Sequence, residues 1–429
     1  MFSLPKRAPV ALALSALSLL SAVVYAGSSS VGTPKPAGTE AETPEFGFTG
    51  DWGGLRTSLV NAGFNLTGSY TGEWFGVVKG GKSQGGILEG LAKLTLDVNL
   101  EKVAGWQGAT FRISGLAPHG SSPTAKFGGD ASILSNIDSY DTVRLVDFWV
   151  EQRLLEDKLS LKIGQMRVDD EFGVTDSASL FINSSFGIPN TAFTPMPIAA
   201  YPSGALGIRA RFEPLKGLYG QLGLYDGNPS PGDYADPTVG LGNSPRHGTD
   251  WSLRYSEGLL WAGEIGYQRS SEDYPGAYRL GFLHHTDEFP RLGTPGRTEA
   301  SNTSLYYVLD QTIWQKPGSP KEGLSAFIRG NEAQERRNDM HRSIQTGFVY
   351  TGLAANNDKL GLAYAHNKFN RNSTIFPGAN YESIVELSYQ VQVAPSLKVQ
   401  PDLQYIKRPG GTRQYGDAWV VGVRAILEF

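Results

Sequence analysis

Regular alternation of apolar and polar side chains constrains this chain more than any other feature, and it recurs from Phe64 to the C-terminus. Segment 204–213 shows both faces well. Its apolar face consists of Leu206, Ile208, Ala210 and Phe212. Its opposite face carries Gly207, Arg209, Arg211 and Glu213. A period of two residues indicates β-strands whose two faces meet different surroundings.

The lengths of the strands and of their connections indicate a membrane barrel. Many alternating segments run for ten residues or more, and a tilted strand of about 9–11 residues spans a bilayer. A soluble β-sandwich would alternate as well. However, tight connections at 214–216 and 394–396 contrast with long ones at 118–142, 169–203 and 227–250. Short turns at one end and long loops at the other are typical of a barrel.

The number of strands follows from a parity rule. Two strands at 249–257 and 259–268 would give seventeen, whereas a single-chain bacterial barrel has an even number. We therefore predict one strand at 258–268 and place Trp251 to Tyr255 in an external loop. The sixteen predicted strands are 64–78, 87–101, 107–117, 143–153, 158–168, 204–213, 217–226, 258–268, 277–286, 301–315, 323–332, 343–353, 358–368, 379–393, 397–407 and a final segment ending at Phe429. The predicted fold is all-β, a single transmembrane antiparallel barrel wide enough for an aqueous channel.

The N-terminal region predicts export. Lys6 and Arg7 precede an apolar run from Ala8 to Val24, and the pattern predicts a signal peptide over 1–26 that is cleaved after Ala26. Residues 27–50, rich in Ser, Gly, Pro and Thr, predict a flexible mature N-terminus.

A short helix is predicted before the barrel, over 51–63. Asp51 can cap it, Leu55 and Leu59 lie one turn apart, and Gly63 can end it. A helix this short needs a larger body to pack on. The barrel then occupies 64–429 as one domain.

Composition excludes several other classes. The chain has no Cys, so the exported protein has no disulfides. No run of about 18 apolar residues follows the leader, so no transmembrane helix is predicted. The net charge of −4 argues against a nucleic-acid partner. The 53 Gly and the 47 aromatic residues (19 Tyr, 20 Phe, 8 Trp) suit a barrel with aromatic girdles.

No catalytic, metal or cofactor motif is present in the sequence. The six His residues show no metal-ligand spacing, and adjacent His284 and His285 point to opposite faces of a strand. A surface enzyme or adhesin built on a barrel is the rival class. It would need loops that carry a nucleophile with its base, and no such set is found.

Charged residues in the middle of strands are the candidate functional residues. An Arg on the lipid face near the midplane costs about 2–4 kcal/mol, so such charges are expected to face the lumen. The predicted channel-lining residues are Glu73, Arg112, Asp147, Trp149, Glu151, Arg209, Arg211, Glu264, Arg279, Asp310 and Arg329. Arg can donate to sugar hydroxyls, carboxylates can accept from them, and an aromatic ring can stack on C–H faces. Mixed acids and bases favour neutral polar solutes, with a general or acid-solute porin as the alternative.

Several motifs resemble those of the carbohydrate-selective porins, the OprB-like family, over about 47–429. The motifs are Asp51-Trp52-Gly53-Gly54-Leu55-Arg56, Phe181-Ile182-Asn183-Ser184-Ser185-Phe186-Gly187, Tyr201-Pro202, Leu224-Tyr225-Asp226-Gly227, His247-Gly248, Val399-Gln400-Pro401-Asp402-Leu403-Gln404-Tyr405 and Pro409-Gly410-Gly411. The resemblance implies a monomeric sixteen-stranded barrel that passes glucose and other small sugars. It also implies that loops 118–142 and 169–203 fold inward and narrow the channel.

The inward loop and the membrane setting complete the prediction. The candidate constriction residues in 169–203 are Asp169, Asp170, Glu171, Asp176 and Asn183. We expect outer-membrane lipid and lipopolysaccharide around the barrel of a Gram-negative bacterium. We also expect the barrel-assembly machinery to recognise terminal Phe429.

Overall fold

The structure, a computed structural model, describes residues 46–188, 191, 196–229, 247–355 and 357–429. The predicted signal peptide and residues 27–45 lie outside the described residues. The sixteen strands are β1 (Phe64–Gly81), β2 (Gly85–Asn99), β3 (Ala109–Gly120), β4 (Arg144–Leu154), β5 (Leu159–Met166), β6 (Ala205–Leu215), β7 (Leu218–Asp226), β8 (Leu259–Arg269), β9 (Gly276–Pro290), β10 (Thr298–Lys316), β11 (Ser319–Ala333), β12 (Met340–Thr351), β13 (Lys359–Phe369), β14 (Tyr381–Ala394), β15 (Leu397–Lys407) and β16 (Gly416–Glu428).

The strands form one closed antiparallel barrel in which each strand pairs with its sequence neighbours and β1 pairs with β16. The predicted fold class and strand number are therefore confirmed. A single strand, β8, covers the segment where parity required one, and Trp251 lies in the loop before it. Strands β9 to β11 run longer than predicted, up to nineteen residues in β10.

Alternating exposure along the strands separates the outer face of the barrel from the inner face. On β8, Ile265 is 67% exposed while its neighbour Glu264 is 3% exposed. On β9, Leu280 is 66% exposed while Arg279 is 9% exposed. Apolar side chains with no protein neighbour therefore cover the outside, which is the arrangement that a hydrocarbon environment stabilises.

Helices contribute little to the fold. The helix α1 (Leu55–Asn61) lies before β1, and α2 (Leu100–Ala104) lies in the connection between β2 and β3. None of the helices in the described part of the chain is long and apolar enough to cross a membrane.

The helix α1 begins and ends close to the predicted positions. The Asp51 carboxylate accepts hydrogen bonds from the Thr57 backbone N–H and hydroxyl, each 2.8 Å long. A 3-10 turn over Trp52–Gly54 separates Asp51 from the helix proper. Gly63 follows the helix at φ +101°, where a side chain would also press against Lys102 and Val103 of α2. Arg56 donates to the Leu66 carbonyl at 2.7 Å, which ties the helix to β1.

Two of the connections at the end opposite the termini fold into the barrel. We call 121–143 the first inner loop, and the described residues of 167–204 (167–188, 191 and 196–204) the second inner loop. They bind each other through backbone hydrogen bonds, from Asn136 N–H to the Ile182 carbonyl at 2.8 Å and from Ser184 N–H to the Ile133 carbonyl at 3.0 Å. The two loops thus behave as one body inside the lumen.

The inner loops bury apolar side chains against the inner face of the barrel. Phe181 and Phe186 of the second inner loop pack around Phe327 of β11, with ring centroids 5.9 and 6.4 Å away. Leu134 of the first inner loop belongs to the same buried cluster. The sequence predicts a polar lumen, but in this part of the barrel the inner face is apolar because it contacts the loops rather than water.

Candidate channel constriction

All eleven residues predicted to line the channel lie on the inner face. The cross-strand register establishes this, because directly paired residues share a face. For example, Arg209 pairs with Lys162, Lys162 with Glu151, and Glu151 with Thr110. The eleven residues nevertheless fall into two groups. One, on β1 and β8 to β11, is buried beneath the inner loops, and the other, on β3, β4 and β6, contains the two more exposed side chains, Arg112 and Arg211.

In the first group, carboxylates hold the backbone of the second inner loop. Glu264 accepts from the Gly173 N–H at 2.8 Å and also from the Tyr306 hydroxyl at 2.8 Å. Asp310 accepts from the Ser177 N–H at 2.8 Å and from its hydroxyl at 2.6 Å. These side chains are 3% and 5% exposed. They anchor the loop and present almost no surface to a solute.

Two arginines on the same wall complete this attachment. Arg279 donates to the Val174 carbonyl at 2.6 Å. Arg329, 3% exposed, donates to the carbonyls of Phe186 and Gly187, to the former at 3.2 Å. Hydrogen bonds to charged groups contribute about 1.5–3 kcal/mol each, so the wall holds the loop firmly. Glu264, Arg279, Asp310 and Arg329 thus contact loop backbone rather than lining the solvent-accessible part of the lumen.

Strand β14 supplies two further anchors that the sequence prediction missed. Glu386 accepts from the consecutive N–H groups of Ile182 and Asn183, at 2.5 and 3.0 Å. Glu382, four residues earlier on the same face, accepts from the N–H groups of Ala131 and Ser132, both at 2.9 Å. Strand β14 therefore supplies one glutamate to each inner loop. The available signal was two acidic residues four apart on the polar face of one strand.

Asn183, predicted to line the constriction, is fully buried. Its amide nitrogen donates to the Gln404 side chain at 3.0 Å and to the Ser132 carbonyl at 3.2 Å. Its side-chain oxygen accepts from the Ser185 N–H at 3.0 Å. Asn183 joins the two inner loops to the wall, so its predicted place at the channel surface is wrong. The polar pattern alone could not show that an asparagine in a loop is covered on every side.

Glu73 belongs to the buried group as well. It pairs with Arg424 of the neighbouring strand at 2.5 Å, and Arg424 also donates to Asn136 of the first inner loop at 2.8 Å. Arg424, on the polar face of the last strand, is therefore a further residue that attaches the first inner loop to the wall.

The second group lies on β3, β4 and β6, and two of its six members, Arg112 and Arg211, keep contact with solvent. Arg112, 37% exposed at its side chain, pairs with Asp97 through two hydrogen bonds of 2.6 and 3.0 Å. Its guanidinium lies 5.2 Å from the centre of the Trp149 ring, and the Lys162 ammonium lies 4.1 Å from it. Trp149 itself is 7% exposed. The ring therefore supports two cations and offers little surface on which a sugar could stack.

Arg209 links the wall to the second inner loop. It pairs with Glu151 of β4 at 3.0 Å and with Glu171 of the loop at 2.7 Å. Lys162 also forms an ion pair with Glu171. Burial would raise the pKa of Glu171, but attraction by Lys162 and Arg209 and their hydrogen bonds outweighs burial and lowers the pKa to about 2. Glu171 is therefore a carboxylate at neutral pH.

The loop acids next to Glu171 have different surroundings. Arg167 pairs with Asp170 at 2.5 Å and lies 3.7 Å from Asp147 of β4. Asp169 turns toward the protein and accepts from the Tyr201 N–H at 3.1 Å. Asp176 is exposed to solvent at the start of a 3-10 turn. Of the five predicted constriction residues, Asp170 and Asp176 thus keep contact with solvent, and Glu171 forms ion pairs with Lys162 and Arg209.

Arg211 lies two residues beyond Arg209 on the inner face and differs from it in its contacts. Its guanidinium is 3.5 Å from the centre of the Tyr219 ring, and its ion pair with Glu213 is loose at 3.9 Å. The side chain is 21% exposed, whereas that of Arg209 is 4% exposed. Arg211 is therefore a more accessible hydrogen-bond donor than Arg209.

The ion pairs on β2 to β6 and on the second inner loop, which we call the wall ion pairs, give the site its chemical character. Five basic and six acidic residues lie together, so positive and negative charges nearly balance. The basic residues are Lys93, Arg112, Lys162, Arg167 and Arg209, and the acidic ones are Asp97, Asp147, Glu151, Asp169, Asp170 and Glu171. Within the described ranges, no group of three or more acidic or His side chains is arranged to hold a metal ion. The site offers directed hydrogen-bond donors and acceptors without a strong net field.

Comparison with known proteins agrees with this geometry. The family model "Carbohydrate-selective porin, OprB family" matches residues 83–429. The chain is 27% identical to Porin B of Pseudomonas aeruginosa, over 87% of this chain and 89% of that protein. It is 25% identical to the putative porin QuiX of Acinetobacter baylyi, over 89% and 92% of the two chains.

Solved structures share the fold. The high-pH structure of Pseudomonas putida OprB superposes with a TM-score of 0.82 at 24% identity, covering 89% of this chain and 98% of that one. The low-pH structure of the same protein gives a TM-score of 0.57 at 20% identity, over 89% and 97% of the two chains. Because the family model covers most of the barrel, this chain belongs to the carbohydrate-selective porin, OprB family.

Proposed function

We propose that this outer-membrane sugar porin passes small neutral sugars, glucose among them, along the β2–β6 side of the lumen. The inner loops bury the inner face of β8 to β15, so the solvent-accessible charged groups concentrate on the opposite wall. A solute on this route meets the exposed members of the wall ion pairs. The exposed members, Arg112, Asp97 and Asp170, donate to and accept from its hydroxyls.

The balance of charge is the observation that carries the preference for neutral solutes. A ring of Arg and Lys without acids would attract anions, and an excess of acids would attract cations. Here almost every charge has a partner within 4 Å, so the pairs act as oriented dipoles. A neutral sugar can share those hydrogen bonds, and weak binding lets it leave again.

Sugar-dependent block of single-channel current in planar bilayers tests this proposal. We expect glucose to reduce ion current partially and in a saturable way. We expect Arg112→Gln to weaken that block while the channel still inserts, because the side chain is both paired and accessible. Lys316→Gln, on an exposed periplasmic-side strand end, is the matched control. Block by small organic acids but not by glucose would instead support an acid-solute porin.

We propose further that residues 1–26 are removed on export and that the protein is a monomer within its lipid. The leader pattern supports cleavage after Ala26. N-terminal sequencing of the outer-membrane protein tests it, and a first residue other than Gly27 would contradict it. We also propose that the assembly machinery recognises Phe429, whose N–H donates to the Gly68 carbonyl of β1 at 2.9 Å in the closed barrel.

A further inference from the structure

A cluster of cations lies on the outer face of the barrel at the end that carries the inner loops. On β13, Lys368 lies between the inward residues Asn367 and Phe369, so it points outward. On β15, Lys407 follows the buried Ile406 and is exposed on the outer face. Arg408 comes directly after it. These three residues cannot contact a solute in the lumen, and their position requires another explanation.

Register places these cations close together. Lys368 pairs directly with Tyr381 of β14, and Lys407 pairs with Ser383 two residues along the same strand. The Arg408 guanidinium lies 4.5 Å from the centre of the Tyr381 ring. Neighbouring strands are about 4.8 Å apart and residues two apart on a strand about 6.8 Å, so the backbones of Lys368 and Lys407 are separated by about 12 Å, with Tyr381 and Ser383 between them. One anionic head group can contact both lysines.

A fourth cation adjoins the cluster at some electrostatic cost. Arg342 of β12 pairs directly with Lys368, and like charges directly opposite each other in a sheet are destabilising. Two acids lie nearby on the same outer face. Glu332 pairs with Arg342 at 2.6 Å, and Asp417 accepts from the Arg408 backbone N–H at 3.0 Å. Four cations and two acids leave an excess of positive charge.

Aromatic side chains lie one step further along the same strands, toward the middle of the barrel. Tyr364 and His366 stack on β13 with ring centroids 6.5 Å apart, and His366 lies 5.1 Å from Tyr381. Tyr405 and Trp419 pack on β15 and β16 at 4.9 Å. Such a girdle marks the level of the membrane interface. The cations therefore lie at the depth of lipid head groups rather than acyl chains.

From this arrangement we infer that Lys368, Lys407 and Arg408, flanked by Arg342, bind a phosphate group of an anionic glycolipid in the outer leaflet. Ammonium and guanidinium groups form strong charge-assisted hydrogen bonds to phosphate oxygens. Tyr381 adds a hydroxyl and an amphipathic ring beneath the sugar of the head group. Neither Lys368 nor Lys407 forms an ion pair with a carboxylate in the described part of the chain. The Lys368 ammonium donates to the Asn380 side-chain oxygen, and Lys407 hydrogen-bonds to Tyr381. An ammonium carries three N–H donors, so each lysine keeps donors for the phosphate.

Binding of lipid A to the purified full-length protein in detergent, followed by native mass spectrometry, tests this inference. The probes are lipid A with two phosphates, the same glycolipid after dephosphorylation, and inorganic phosphate. Each surface cation contributes about fivefold to binding of an anionic lipid, so Lys368→Gln with Lys407→Gln is expected to weaken binding about 30-fold. Lys158→Gln with Lys216→Gln, exposed on turns at the opposite end, is the matched control and is expected to change nothing.

The outcomes are distinct. Equal lipid A binding by the wild type and the Lys368/Lys407 variant would overturn the inference, as would equal binding of dephosphorylated lipid. Displacement of lipid A by stoichiometric inorganic phosphate would overturn the assignment to a lipid. Arg342→Gln, at a more exposed position, is a second variant should the double variant not fold, and about fivefold weaker binding is expected. Glucose block is expected to be unchanged in all of them, so failure of the sugar proposal would show separately.

Discussion

Replacement of Arg209 by alanine separates a buried link between wall and loop from an ordinary lumen charge. Arg209 is 4% exposed at its side chain, and its partners Glu151 and Glu171 are 9% and 12% exposed. At this degree of burial, solvent screens the charges little. Breaking a buried ion pair by removing one partner destabilises a protein by about 3–5 kcal/mol. Because Lys162 still pairs with Glu171, we expect about 3 kcal/mol for Arg209→Ala.

The adjacent inward arginine is the matched control. Arg211 is 21% exposed, and its ion pair with Glu213 is 3.9 Å long. A loose and partly exposed pair of this kind contributes about 0–1 kcal/mol, so Arg211→Ala is expected to destabilise the barrel by at most about 1 kcal/mol. Arg209→Lys keeps the positive charge but loses the forked geometry of the guanidinium. Its loss of unfolding free energy is therefore expected to lie between those of Arg209→Ala and Arg211→Ala.

Reversible urea unfolding in detergent micelles or lipid vesicles measures the difference. Reversal potentials in a salt gradient give an independent readout, because loss of one positive charge leaves Glu151 and Glu171 undercompensated. Arg209→Ala is therefore expected to shift selectivity toward cations, and Arg209→Lys to restore it. Equal unfolding free energies for Arg209→Ala and Arg211→Ala would refute the role assigned to the buried link.

Two other predictions concern the second inner loop. Glu386→Ala leaves the N–H groups of Ile182 and Asn183 without their acceptor, so we expect a looser loop and a higher single-channel conductance. Glu332→Ala, on the outer rim, is the control, and equal conductance in the two variants would contradict this. For pH, the folded-state pKa of Glu171 of about 2 lies below its unfolded value of about 4.5. Its stabilisation is therefore present above about pH 4.5 and is lost as pH falls toward 2. Unfolding free energies measured against pH should lack this component in Glu171→Gln, and an unchanged profile in that variant would argue against it.

Strand positions could be predicted from the sequence because the bilayer imposes a local rule. Each strand must place apolar residues toward lipid at every second position. The outward direction of Ile265 and the inward direction of Glu264 can therefore be predicted without knowing which strands pair with β8. The rule that a bacterial barrel has an even number of strands then showed that 249–268 contains one strand and not two. The longer reach of β10 was not predictable, because beyond the membrane the outer face no longer needs to be apolar.

The division of inward charges into two groups could not be predicted in this way. Glu151 and Glu264 are both inward acids in the middle of strands, and their local sequences do not distinguish them. What separates them is the loop residue that meets each one, Gly173 in the case of Glu264. That contact joins residues 91 positions apart in the chain, and strand periodicity carries no information about it. The prediction for Trp149 failed for the same reason, because Trp149 is buried in an apolar cluster with Val168 and Phe172 of the second inner loop.

The anchoring of the inner loops has a consequence for how pores of this kind can diverge. Glu264, Glu382 and Glu386 bind backbone N–H groups, and every residue type except proline supplies one. Loop side chains that face the solute can therefore be exchanged while the attachment to the wall persists. The barrel can keep its strands and its anchors while the calibre and chemistry of the passage change, one loop side chain at a time.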